Sequence, residues 1–103
     1  MLELEFSFSE KCWLWQGKST WYFITVPKSH SEEIKFFTEN HFGKRRGWGA
    51  VRVTARIGNS EWQTSIFPST SLNAYMLPLK QEIRKKEKIV AGAVVKVQLH
   101  IQV

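Results

Sequence analysis

The run Gly43-Lys44-Arg45-Arg46-Gly47-Trp48-Gly49 concentrates side chains that could bind a polyanion. Glycines let a backbone approach phosphates closely, cations neutralise them, and an indole stacks on a base. The run therefore offers nucleic-acid contacts through Lys44, Arg45, Arg46 and Trp48. It lacks the spacing of a Walker phosphate loop. The plainer reading gives the glycines to turns, the cations to solvent and Trp48 to the edge of the core. Arg52 and Arg56 share one strand face just beyond it, where they extend a basic surface or simply discourage edge pairing. Arg84, Lys85 and Lys86 fall late in a helix, a place where cations also favour the helix dipole.

Catalytic chemistry finds little support. Ser65 in Thr64-Ser65-Ile66 lacks the glycines of a nucleophile elbow, and the chain contains no Asp to orient a histidine. His30, His41 and His100 lack helical ligand spacing. With the single Cys12 they make a poor zinc set, and no metal or cofactor is expected. Cys12 reads as a small core residue. Trp13, Trp15, Trp21, Trp62 and Tyr75 either line a ligand pocket or, as the simpler expectation, mostly fill the core.

At 103 residues, with 43% apolar and 14% aromatic content, the chain reads as one compact domain over residues 1–103. The formal charge of +6 and a pI near 9.7 favour anionic partners. All nine acids are Glu, and Lys44 to Arg56 holds five cations and no acid. The alternating start, Leu2, Leu4, Phe6 and Phe8 against Glu3, Glu5 and Ser7, is unlike a signal peptide, and no segment has the ~20 apolar residues of a membrane helix. A cytoplasmic protein without membrane contact is the expectation.

Several elements must position these residues. Alternation predicts a strand over Leu2–Phe8. Aromatic and β-branched runs predict a hairpin of Cys12–Gln16 and Thr20–Val26 across Gly17-Lys18-Ser19. Pro27, with Ser29 and Glu32 at capping-box spacing, predicts a helix over Ser31–Asn40 with Ile34, Phe37 and His41 on one face. Val51–Ile57 and Glu61–Phe67 form a second hairpin across Gly58-Asn59. A strand over Ala74–Leu77, a helix over Leu79–Lys88 and a strand over Val95–Val103 complete a mainly β chain of about seven strands and two short helices. The order strand, Pro, helix, Gly, strand occurs twice, from Tyr22 to Ile57 and from Tyr75 to Ile101, as a faint internal repeat.

The whole chain resembles the bacterial family called domain of unknown function 1905. The resemblance is carried by Trp21, Tyr22, Phe23, Val26 and Pro27, by Gly47, Trp48, Gly49, Val51 and Val53, and by Gly58, Trp62, Thr64, Ser65, Ile66 and Pro68. It continues through Tyr75, Leu77, Pro78, Leu79, Lys80, Arg84, Gly92, Val95 and Val97. That family is similar in fold to the double-split β-barrel of AbrB and MazE type DNA-binding proteins, in which two chains interlock. The resemblance implies a small closed or double-split barrel that the internal repeat lets one chain complete. Ala93 departs from the pattern, where an acidic residue usually follows the glycine.

Together these readings point to a noncatalytic binding domain, a monomer or weak homodimer. Its ligand is nucleic acid held by the three basic sets, or a small ligand or protein held by exposed aromatics. A contiguous exposed apolar patch would favour the second reading.

Overall fold

A computed structural model of the protein describes residues 3–17, 19–42 and 49–102, the side chains of 40–42 excepted. The chain order is β1 (Glu3–Gln16), β2 (Thr20–Thr25), α1 (Lys28–Phe42), β3 (Val51–Ile57), β4 (Ser60–Ser69), β5 (Ala74–Pro78), α2 (Gln81–Glu87) and β6 (Val94–Gln102). The strands close into an antiparallel barrel in the order β1-β2-β5-β4-β3-β6. The fold is therefore mainly β with two short helices, and it has six strands rather than about seven.

The difference lies in β1. Ser9, Glu10 and Lys11 look like a polar break, but their backbone stays in register with Lys96, Val95 and Val94, so one strand of 14 residues replaces two. At Cys12 the strand changes partner. Glu3–Lys11 pairs with β6, and Cys12–Gln16 pairs with β2. β4 does the same, with Ser60–Ile66 pairing β3 and Phe67–Ser69 pairing β5. Two long strands thus join a first sheet, built on β6 and β3, to a second, built on β2 and β5. Closure leaves every strand with two neighbours and removes the edges on which foreign strands could add.

Exchanging β1 with β4, β2 with β5 and β3 with β6 returns the same ring of neighbours. The repeat is thereby a feature of the topology. Its prolines do not correspond, however. Pro27 directly precedes α1, whereas Pro78 ends β5 opposite Phe23, with Leu79 and Lys80 still to come before α2.

Alternation sends one side chain in and the next out along each strand. Phe6, Phe8, Cys12, Ile24, Val53, Ala55, Trp62, Ile66, Leu77, Val97 and Leu99 meet in one buried core. α1 follows β2 and packs against β5, burying Ile34, while α2 packs against β4 and buries Ile83.

α1 begins three residues before its expected start, so Ser29 lies within the first turn and is not an N-cap. The serine that ties the helix to the barrel is Ser31. Its buried hydroxyl donates to the Val26 carbonyl and accepts from the Tyr75 N–H, both at 3.0 Å. α2 is shorter than expected. Lys80 is its extended N-cap and Lys88 (φ 56°) its left-handed C-cap, so Leu79 is buried ahead of the helix. At Gly92 (φ 91°) the chain turns into β6, the Gly92 N–H donating to the Cys12 carbonyl at 2.7 Å and the Ala93 carbonyl accepting from the Cys12 N–H at 2.8 Å. Ala93 is thus accommodated without an acidic side chain. Among the described residues no helix is long and apolar enough to cross a membrane.

Candidate functional site

Lys44, Arg45, Arg46 and Trp48 lie outside the described residues. The other basic positions are divided between two parts of the barrel. Arg52 and Arg56 are exposed on the outer face of β3 in the first sheet. That face is mixed in charge: Arg56 pairs in register with Glu61 and Gln98, and it shares a polar concavity of about 560 Å³ with Glu5, Glu61 and His100. Arg52 donates to the Ser65 hydroxyl at 3.4 Å. This contact places Ser65 on a solvated sheet face, beside an arginine rather than a general base.

Arg84, Lys85 and Lys86 fall in the last turn of α2, as expected, and the Arg84 side chain is in addition held against the barrel. Its guanidinium carbon lies 3.7 Å from the centre of the Tyr22 ring, and its Nε donates to the Leu79 carbonyl at 3.3 Å. Lys85 and Lys86 are exposed on the same helix.

Of the three histidines, His30 and His100 are engaged by packing and pairing, and the His41 side chain lies outside the described residues. The His30 ring packs at 4.9 Å from Phe6 and 6.0 Å from Phe8. His100 Nε2 lies 3.4 Å from a Glu3 carboxylate oxygen that also accepts from the Gln102 amide. Among the described residues no group of three or more His, Cys or Glu is placed to hold a metal ion. Cys12 is buried, and its desolvation pushes the thiol above its ordinary pKa, the nearby Arg84 charge opposing this in part.

The larger apolar feature is on the outside of the second sheet. Continuity of β1 carries the outward parity of Glu3 and Glu5 on to Trp13 and Trp15. Across the ladder, Trp13 pairs in register with Phe23 and Trp15 with Trp21. On the far side Phe67 pairs with Met76. These rings, with Leu72 and the hydroxyls of Ser69 at the end of β4 and Ser71 in the turn that follows, line a groove of about 620 Å³. Trp15 is 46% exposed, Trp21 50%, Phe67 44% and Leu72 38%.

Ring contacts hold the groove floor. Trp21 stacks on Phe23 at 6.3 Å and 16°, Trp13 lies 5.2 Å from Phe23, and the Trp13 indole N–H donates to the Thr25 hydroxyl at 2.9 Å. The expectation that most of the aromatic set fills the core is overturned: Trp62 and Tyr75 are buried, whereas Trp13, Trp15 and Trp21 line the groove.

A second concavity of about 360 Å³ adjoins the first. Trp21 and Pro78 line both, and Lys80 and Arg84 line the second. No acidic side chain is among the lining residues of either. None of the nine glutamates falls on the strand segments of this sheet. The signal that would have located the groove is parity, legible only if Leu2 to Gln16 is read as a single strand.

A model of the family described as Domain of unknown function (DUF1905) matches residues 8–99, a span that takes in some or all of every strand of the barrel. No curated protein is similar enough to the chain to count as a match. A match over nearly its whole length shows that this chain belongs to the DUF1905 family.

Proposed function

We propose that this protein is a noncatalytic binding domain whose site is the aromatic groove on the outer face of the second sheet. The observation that carries the reading is the exposure of Trp15 and Trp21, side by side in one groove with Phe67 and Leu72. Large rings are normally removed from water, and a contiguous exposed apolar patch marks an interaction site. The groove has the volume of a small-molecule site. Its walls are rings and its polar groups are few, so it suits flat, ring-bearing groups with one or two hydrogen-bonding atoms for Ser69 and Ser71.

The net charge favours nucleic acid among such ligands. This keeps the sequence-based ligand class and moves the contact away from Arg52 and Arg56, whose neighbours Glu5 and Glu61 dilute their charge. The symmetric ring of strands also supports kinship of fold with the AbrB and MazE type DNA-binding proteins, an analogy that by itself locates no site. A chain that closes its own ring has no open edge to pair with a second copy, which favours a monomer.

The test is a titration of the labelled protein with uncharged planar compounds such as adenosine and naphthol, followed by the indole N–H signals in NMR. Saturable shifts at Trp15 and Trp21, with the buried Trp62 signal unmoved, are expected. Shifts that are absent, or equal and non-saturating at all five tryptophans, would remove the groove as a site.

A further inference from the structure

The groove and its neighbouring concavity differ in one respect: the first is apolar, and the second carries Lys80 and Arg84. Trp21 and Pro78 belong to both. An occupant of the first that extends into the second must place flat apolar groups on Trp15 and Trp21 and negative charge beside Lys80 and Arg84. Resting on the proposed groove site, we infer that its ligand is single-stranded nucleic acid, with bases stacked on Trp15 and Trp21 and the phosphate backbone running past Lys80 and Arg84.

Three features argue for this occupant over others. First, the surface is complementary in charge. Glutamates are absent from the strands of this sheet and from both linings, whereas the first sheet sets Glu5 and Glu61 beside Arg56. Second, Arg84 is fixed. Its contacts with Tyr22 and the Leu79 carbonyl hold a cation at the concavity that Trp21 also lines, so little side-chain entropy is lost when a phosphate arrives. Third, the geometry favours unpaired strands. Rings projecting from an open sheet face can stack only on bases whose faces are free, and in a duplex those faces are covered by neighbouring pairs. Aromatic platforms beside a cationic track are the general means of binding single strands with little sequence preference.

The experiment is fluorescence anisotropy of labelled ten-nucleotide dT, rU and mixed-sequence strands, and of a ten-base-pair duplex, with the whole protein at several salt concentrations. Single strands should bind several-fold more tightly than the duplex, with log affinity falling linearly against log salt. Trp21→Ala should weaken binding by about tenfold and Trp21→Phe by much less, because a phenyl ring still stacks. Lys80→Glu should weaken all sequences alike and flatten the salt dependence by about one contact. Arg52→Glu with Arg56→Glu, on the opposite sheet, should leave affinity within about twofold after the change in net charge.

Equal affinity for duplex and single strand would overturn the inference. So would loss of binding in the Arg52→Glu, Arg56→Glu protein with none in Trp21→Ala, which would put the nucleic acid on the first sheet. If no oligonucleotide binds while adenosine and naphthol still shift Trp15 and Trp21, the inference fails and the groove keeps an apolar ligand. Concentration-dependent burial of Trp15 and Trp21, with a doubled mass in sedimentation, would instead make a second copy of this chain the occupant and overturn it too.

Discussion

The Arg84 guanidinium lies face-on to Tyr22, 3.7 Å from the ring centre, and so clamps α2 to β2 across the second sheet. A cation on an aromatic face contributes about 0.5–2 kcal/mol, depending on its desolvation. The Nε bond to the Leu79 carbonyl fixes the same side chain to the linker ahead of the helix. Arg84→Ala should therefore destabilise the fold by about 1–2 kcal/mol in denaturant titration. Arg84→Lys should recover only part of this, because an ammonium cannot lie flat on the ring while donating sideways. Equal stability of the alanine variant and the parent would show that the clamp is not made in solution.

The other end of α2 is strapped to the β3–β4 turn. The buried Ser60 hydroxyl donates to a Glu87 carboxylate oxygen at 2.6 Å, and a Cβ at Gly58 would collide with the other oxygen of that carboxylate. Gly58 also has φ 58°, where a side chain is strained. Gly58→Ala should cost about 2 kcal/mol in urea unfolding, combining backbone strain with displacement of Glu87. In a Glu87→Ala background the same change should cost less, because the collision is gone. Strict additivity of the two would deny the contact.

Cys12 is 1% exposed, and its carbonyl and N–H both bond to the turn before β6, at Gly92 and Ala93. Burial holds the thiol above its ordinary pKa. A thiol reagent such as DTNB should therefore react with the folded protein at pH 8 far more slowly than with the denatured chain. The sign for stability follows from the same shift. Below the unfolded thiol value, about 8.5, both states keep the proton and nothing is lost. Above it the unfolded state ionises first, so this group's contribution declines as pH rises toward the folded value. Cys12→Ala should abolish that alkaline decline. Its persistence would assign the decline to other groups.

Much of the barrel was legible from residue types. Val51–Ile57 and the C-terminal run starting at Val95 alternate so regularly that their inward faces follow directly, and Gly58-Asn59 closes the β3–β4 hairpin as turn chemistry requires. The mixed-charge setting of Arg52 and Arg56 was not legible. It depends on Glu5 and Glu61 arriving from β1 and β4, whose register with β6 and β3 no local pattern specifies.

The clearest division falls at Ser9–Lys11. The local sequence determined that the residues on either side are extended, because Leu4, Phe6 and Phe8 alternate with polar residues and the aromatic run Trp13–Trp15 suits a pleated backbone. Only the tertiary structure decided that the polar residues between them continue the strand, since their backbone groups are satisfied by β6 and not by anything nearby in sequence. Continuity then sets parity, and parity sends Trp13 and Trp15 outward while Cys12 goes into the core. Side-chain type alone argues for burying a tryptophan. The closed ring leaves the inward positions to neighbours of opposite parity, and the rings are left on the surface as a groove.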